Sequence, residues 1–221
     1  MRTEKLRVVV TGCHLLVFLL CVSADVEAKA RFGGTAGLNW SSFRGDGPED
    51  ANYNRALGFG AGLVGDIGLS KDIYLSIQPT YVRRGTDISF DVGEDEPRDS
   101  LEVRLDYIDC LVMVKVMAGD GGTYVSSGLG FGFLTNATLA DLRGEEADAK
   151  DFFENLDLSV ALGVGFMIPA KSSLVTVELR YQQSLLSISD PDPAILESEL
   201  VPRMRSTGFQ LWVAVLFPRN D

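Results

Sequence analysis

Seven charged side chains, Asp66, Arg84, Arg104, Asp106, Asp157, Glu178 and Arg180, fall in strand-like segments of the chain, where a carboxylate beside a guanidinium could work as an acid–base pair or a proton path. Hydrolysis through Asp66 or Glu178 lacks an evident base. The single histidine, His14, lies in an N-terminal segment that reads as a cleaved leader, so the mature chain has lost the commonest general base and metal ligand. A glycine run, Gly60 to Gly65, spells the dinucleotide fingerprint G-x-G-x-x-G, but Asp66-Ile67-Gly68 and a turn follow where a helix is required. Asp91, Glu94, Asp95, Glu96 and Asp99 offer oxygen ligands of the type calcium takes, without the spacing of a calcium loop, and read as a solvated acidic segment. Cys13, Cys21 and Cys110 form no zinc or redox pair. No enzyme, cofactor or metal is expected. With 20 Lys and Arg against 31 Asp and Glu, the chain has no basic field for a phosphate backbone, which excludes nucleic acid as a partner.

The elements that must position the charges are strands. Residues 1–7 are basic, 8–22 are almost wholly apolar and Val22-Ser23-Ala24 suits signal peptidase, so residues 1–24 read as a signal peptide, with Ala28 as a second cleavage point. Residues 25–221 then form one domain. Its alternation has period 2: Phe209, Leu211, Val213, Val215 and Phe217 oppose Gly208, Gln210 and Ala214, and Val175, Val177, Leu179 and Tyr181 oppose Thr176, Glu178, Arg180 and Gln182. Elsewhere the second face is glycine, as at Gly128, Gly130 and Gly132. A face of large apolar residues backed by glycines and charges suits lipid outside and a crowded polar lumen inside.

Eight such segments, roughly 31–43, 55–69, 72–86, 102–118, 122–136, 155–169, 172–187 and 205–217, are joined by connections that alternate between tight and long. The pattern predicts an all-β fold, an eight-stranded antiparallel up-and-down transmembrane β-barrel. The long connections, 44–54, 87–101, 137–154 and 188–204, hold 19 of the 30 carboxylates of the mature chain, so one rim should be strongly acidic.

Thr35–Ser41, Gly58–Gly62 leading into Leu75–Tyr81, Leu105–Asp109, Gly128–Phe133 and the aromatic-rich last strand resemble the PorT-like outer-membrane β-barrel family of Gram-negative bacteria. The resemblance implies a bacterial outer-membrane location, outer-membrane lipid as surroundings and the barrel-assembly machinery as a folding partner. Where that family commonly has a proline, this chain has Cys110, and the apolar phase slips nearby, which suggests a bulge near Asp109.

Within so narrow a barrel the seven charges read as a salt-bridged plug rather than a catalytic set, because eight strands leave a bore that side chains fill and buried charges must be paired. The function expected is that of a small non-porin outer-membrane protein, structural or surface-binding, whose acidic loops meet an unknown external ligand. The alternative is a soluble periplasmic lipocalin-like barrel holding a small apolar ligand.

Overall fold

Side chains on a strand alternate between two faces, and the alternating segments fold accordingly. In the computed structural model, which describes residues 30–45, 51–90, 100–141, 146–189 and 204–218, the barrel strands are β1 (Ala30–Arg44), β2 (Ala51–Gly68), β3 (Ile73–Phe90), β4 (Ser100–Met117), β5 (Thr123–Asp141), β7 (Leu156–Ala170), β8 (Ser173–Ser184) and β9 (Arg205–Pro218). A three-residue strand, β6 (Glu146–Asp148), adds only a short ladder to β5. The expected signal peptide and its cleavage points lie outside the described residues.

Each barrel strand pairs antiparallel with its neighbours, and β1 pairs both β2 and β9, so that the eight barrel strands close on themselves. Tight turns join β2 to β3, β4 to β5 and β7 to β8, at the end where β1 begins and β9 finishes. In the β4–β5 turn Gly119 and Gly122 have φ of 73° and 76°, and a Cβ on Gly122 would lie 2.5 Å from the Met167 carbonyl oxygen.

Exposure is inverted relative to a water-soluble protein. Leu57 and Leu63 are 63% and 65% exposed, whereas Asp66 and Lys115 are 0% and 1% exposed. Outward positions between Phe32 and Trp40 on β1, and between Phe209 and Phe217 on β9, form an apolar belt nine residues tall with aromatic side chains at both borders, the length of strand a bilayer needs.

Above the belt, at the loop end, the interior turns apolar. Phe43, Val82, Ile88, Val103, Leu105 and Leu134 pack with Ala149, Phe153 and Ile188 from the long connections. The Phe153–Ser189 bridge and the Glu154 N–H donating to the Ile188 carbonyl at 2.8 Å tie two of those connections together over the bore.

The irregularity expected near Asp109 is present two to three residues away, but its extra residue is on the partner strand. Along β4 the inward positions Leu105, Tyr107, Asp109, Leu111, Met113 and Lys115 keep one parity throughout. The register changes between Asp106, which pairs Asn136, and Tyr107, which pairs Leu134, so the extra residue is Thr135 on β5. Leu134 and Ala137 consequently both face inward, and the phase slip read in β4 reflects a change in which face is apolar rather than an added residue.

Candidate functional site: the barrel interior

Glycines on the inward faces of β5 and β7 leave room for long side chains from the neighbouring strands: Gly165 is the register partner of both Tyr124 on β5 and Glu178 on β8. A Cβ on Gly163 would lie 2.8 Å from Glu178 Oε1, and one on Gly165 would lie 2.5 Å from the Tyr124 hydroxyl. In the space so created the Tyr124 hydroxyl donates to Glu178 Oε2 at 2.8 Å and Arg180 Nε donates to Oε1 at 2.8 Å. Arg180 Nη2 continues to Gln78 Oε1 at 2.8 Å, and Gln78 donates to Ser76 at 2.9 Å. Beside this group Lys115 Nζ lies 3.0 and 2.9 Å from the two oxygens of Asp66, and 5.5 Å from the centroid of the Tyr124 ring.

A second group sits nearer the loop end. Arg84 donates through Nη1 to Asp157 Oδ2 at 2.5 Å and through Nη2 to Asp109 Oδ2, with its guanidinium 4.8 Å from the Tyr107 ring centroid. Gln182 bridges this group to Ser159 at 2.8 Å and accepts from Gln210, whose own oxygen accepts from the Trp212 indole at 2.8 Å. Arg180 lies over that indole at 5.7 Å, so one polar chain runs from the turn end to the cap. Gly37 and Gly60 give Trp212 its room: a Cβ at either would fall 2.7 or 2.6 Å from the ring.

Of the seven sequence-derived residues, Asp66, Arg84, Asp157, Glu178 and Arg180 point into the bore and are at most 3% exposed. Arg104 and Asp106 do not join them, and their assignment to the lumen is corrected. Arg104 is held by Glu102 on the outward side, at 2.6 and 2.5 Å, and Asp106 pairs with outward Arg83 at 2.8 and 3.2 Å. The cause is the inversion at the loop end, where the outside is water and the inside is the apolar cap, so polarity there marks the outer face. Tyr107 faces inward and is fully buried, and Trp212 fills the lumen.

Two charges essential to the network were missed. Asp109 and Lys115 share the parity of Leu111 and Met113, and the signal was the opposite face, where Val112, Val114 and Val116 form a continuous row. Counting them, the described interior holds the cations Arg84, Lys115 and Arg180 against the carboxylates Asp66, Asp109, Asp157 and Glu178.

Chemically the arrangement leaves little free. All four interior carboxylates accept from an interior cation. A polar void of about 10 Å³ beside Arg84, Gln182 and Gln210 has room for about one water. No group of three or more His, Cys, Asp or Glu that could hold a metal occurs among the described residues. Among the described residues, polar side chains line the bore below the apolar cap and the large apolar face is outside, the reverse of what a lipocalin-like barrel requires.

The model of the family described as outer membrane protein beta-barrel domain matches residues 23–190. The chain belongs to that family. As an outer-membrane barrel it has fold similarities among solved structures. Neisserial surface protein A is 11% identical with a TM-score of 0.45, covering 83% of this chain and 96% of that one. The Yersinia pestis attachment invasion locus protein Ail, solved with the heparin analogue sucrose octasulfate, is 14% identical with a TM-score of 0.38, covering 86% and 99%. OprG from Pseudomonas aeruginosa is 13% identical with a TM-score of 0.38, covering 88% and 97%. Among curated proteins, none matches it in sequence.

Proposed function

We infer that the protein is a sealed, non-porin barrel of PorT-like kind, with a structural or surface-binding role in the outer membrane and no catalysis. The observation that carries this reading is the stack of interior groups, Lys115 with Asp66, Arg180 with Glu178, and Arg84 with Asp109 and Asp157, which meet through the Tyr124 and Trp212 rings and are closed at the loop end by Phe43, Leu105, Phe153 and Ile188. Ion pairs and hydrogen bonds that cross the bore occupy the path a solute would need. Entry to the membrane would use the signal peptide and the barrel-assembly machinery, and the acidic connections would provide the outward contact surface.

Planar-bilayer recording of the purified barrel tests the seal. Stable conductance steps should be missing under conditions in which a general porin gives them, and steady open channels would overturn the reading.

A further inference from the structure

Arg44, Arg55 and Arg205 stand together on the outward side of three adjoining strands, β1, β2 and β9, at the loop end. Arg44 and Arg205 are register partners, so two like charges face each other directly, an arrangement that costs stability. The Arg55 guanidinium lies 5.2 Å from the Phe209 ring centroid, which carries it across β1 toward β9. In a chain with 31 acids and 20 bases this clustering is unusual. Among the described residues, moreover, the ion pairs use Arg83, Arg84, Arg104, Lys115 and Arg180, and none of these three.

The cluster borders a recess of about 310 Å³ lined also by Ser42, Phe43, Gly45, Tyr53 and Thr207, so that its floor reaches the apolar cap through Phe43 and Tyr53. Ser42 and Arg44 follow outward Trp40 on β1, and Thr207 and Arg205 precede outward Phe209 on β9. The Ser42, Arg44, Arg205 and Thr207 side of the recess therefore lies on the outer face just beyond the aromatic border of the apolar belt, at the level of lipid headgroups.

We propose that this recess binds the phosphate-bearing headgroup of an outer-leaflet lipid, whose acyl chains lie against Trp40, Leu57 and Phe209. Planar guanidinium groups match phosphate oxygens in paired hydrogen bonds, and a phosphate between Arg44 and Arg205 turns their repulsion into attraction to a shared anion. A lipid fits better than a soluble anion because the site is continuous with the exposed apolar face beneath it: Leu57 is 63% and Phe59 50% exposed. The proposal rests on the outer-membrane placement and is independent of whether the bore is sealed.

The test is native mass spectrometry of the full barrel in detergent, titrated with diphosphoryl lipid A, with and without equimolar inorganic phosphate. The wild type should retain the lipid, and phosphate alone should not displace it. Arg44→Gln with Arg205→Gln should lower the retained fraction about tenfold or more while leaving the heat-dependent gel mobility of a folded barrel in place. Arg205→Gln alone should weaken retention yet raise the unfolding temperature in lipid-free detergent, since the cross-strand repulsion is gone. Equal retention by wild type and double variant would overturn the proposal. So would displacement by inorganic phosphate, which would mark the site as one for a free anion, or displacement by a sulfated polysaccharide at the same concentration.

Discussion

Lys115 on β4 and Asp66 on β2 meet over the intervening strand β3, which presents the small side chain Ser76 as the register partner of Asp66. Both charges are buried, so each depends on the other for compensation. Lys115→Met or Asp66→Asn should therefore each lower stability by about 3–5 kcal/mol, because the remaining partner is left in a poorly solvated bore. The double variant should recover a large part of that loss. Unfolding in detergent, read as a double-mutant cycle, checks it, and additive losses would show that the pair is not coupled.

Arg84 compensates two carboxylates at once. Asp109 Oδ1 and Asp157 Oδ1 have no hydrogen-bond partner among the described residues, so the arginine carries most of the burden for both. Arg84→Met should be more destabilising than Lys115→Met. Arg84→Lys should rescue only part, since an ammonium lacks the fork that reaches Asp109 and Asp157 in two directions. Urea midpoints of the three variants, compared at equal m-value, measure the order.

Glycine at position 163 is an interior requirement, not a conformational one. A methyl group there would contact Ser126 Oγ and Glu178 Oε1, so Gly163→Ala should cost about 1–3 kcal/mol by forcing Glu178 from Arg180 and Tyr124. Glu178→Ala alone should also weaken the barrel, by unpairing Arg180. In the Glu178→Ala background the added cost of Gly163→Ala should shrink, because the obstructed carboxylate is gone. Thermal unfolding of the four proteins separates this from a general strand effect, which would give the same cost in both backgrounds.

Asp87 stands on the extension of β3 beyond the membrane belt, in register with Glu102. Partial burial, and then the negative charge of Glu102, push its carboxyl pKa up, while Arg104 opposes the shift. A carboxyl raised in the folded state binds its proton more tightly there than in the unfolded chain. Its unfavourable contribution is thus fully present at neutral pH and fades as pH falls through the raised value toward the ordinary carboxylate range. Asp87→Asn should be more stable than wild type at about pH 7, with the difference vanishing near about pH 4. Unfolding temperatures of the two proteins across that range test the sign, and a difference that grows on acidification would contradict it.

The strands, their number and the short and long connections are legible in the amino-acid pattern, and within the membrane belt so is the facing of most side chains, Asp109 and Lys115 excepted. These follow from a local rule: alternate residues point to opposite faces, and one face meets lipid. Thus Glu178, Arg180 and Trp212 could be placed inside from neighbours two residues away. Beyond the belt the same rule misled at Arg104 and Asp106, because the long connections supply an apolar cap that no local pattern announces and so reverse what each face contacts. Which charges meet is set by the three-dimensional fold. Lys115 finds Asp66 across β3, and Arg84 finds both Asp109 and Asp157, because strand register and barrel closure bring distant residues to one level. Closure likewise set Arg44 against Arg205 at the rim, a pairing between the first strand and the last that no stretch of sequence contains.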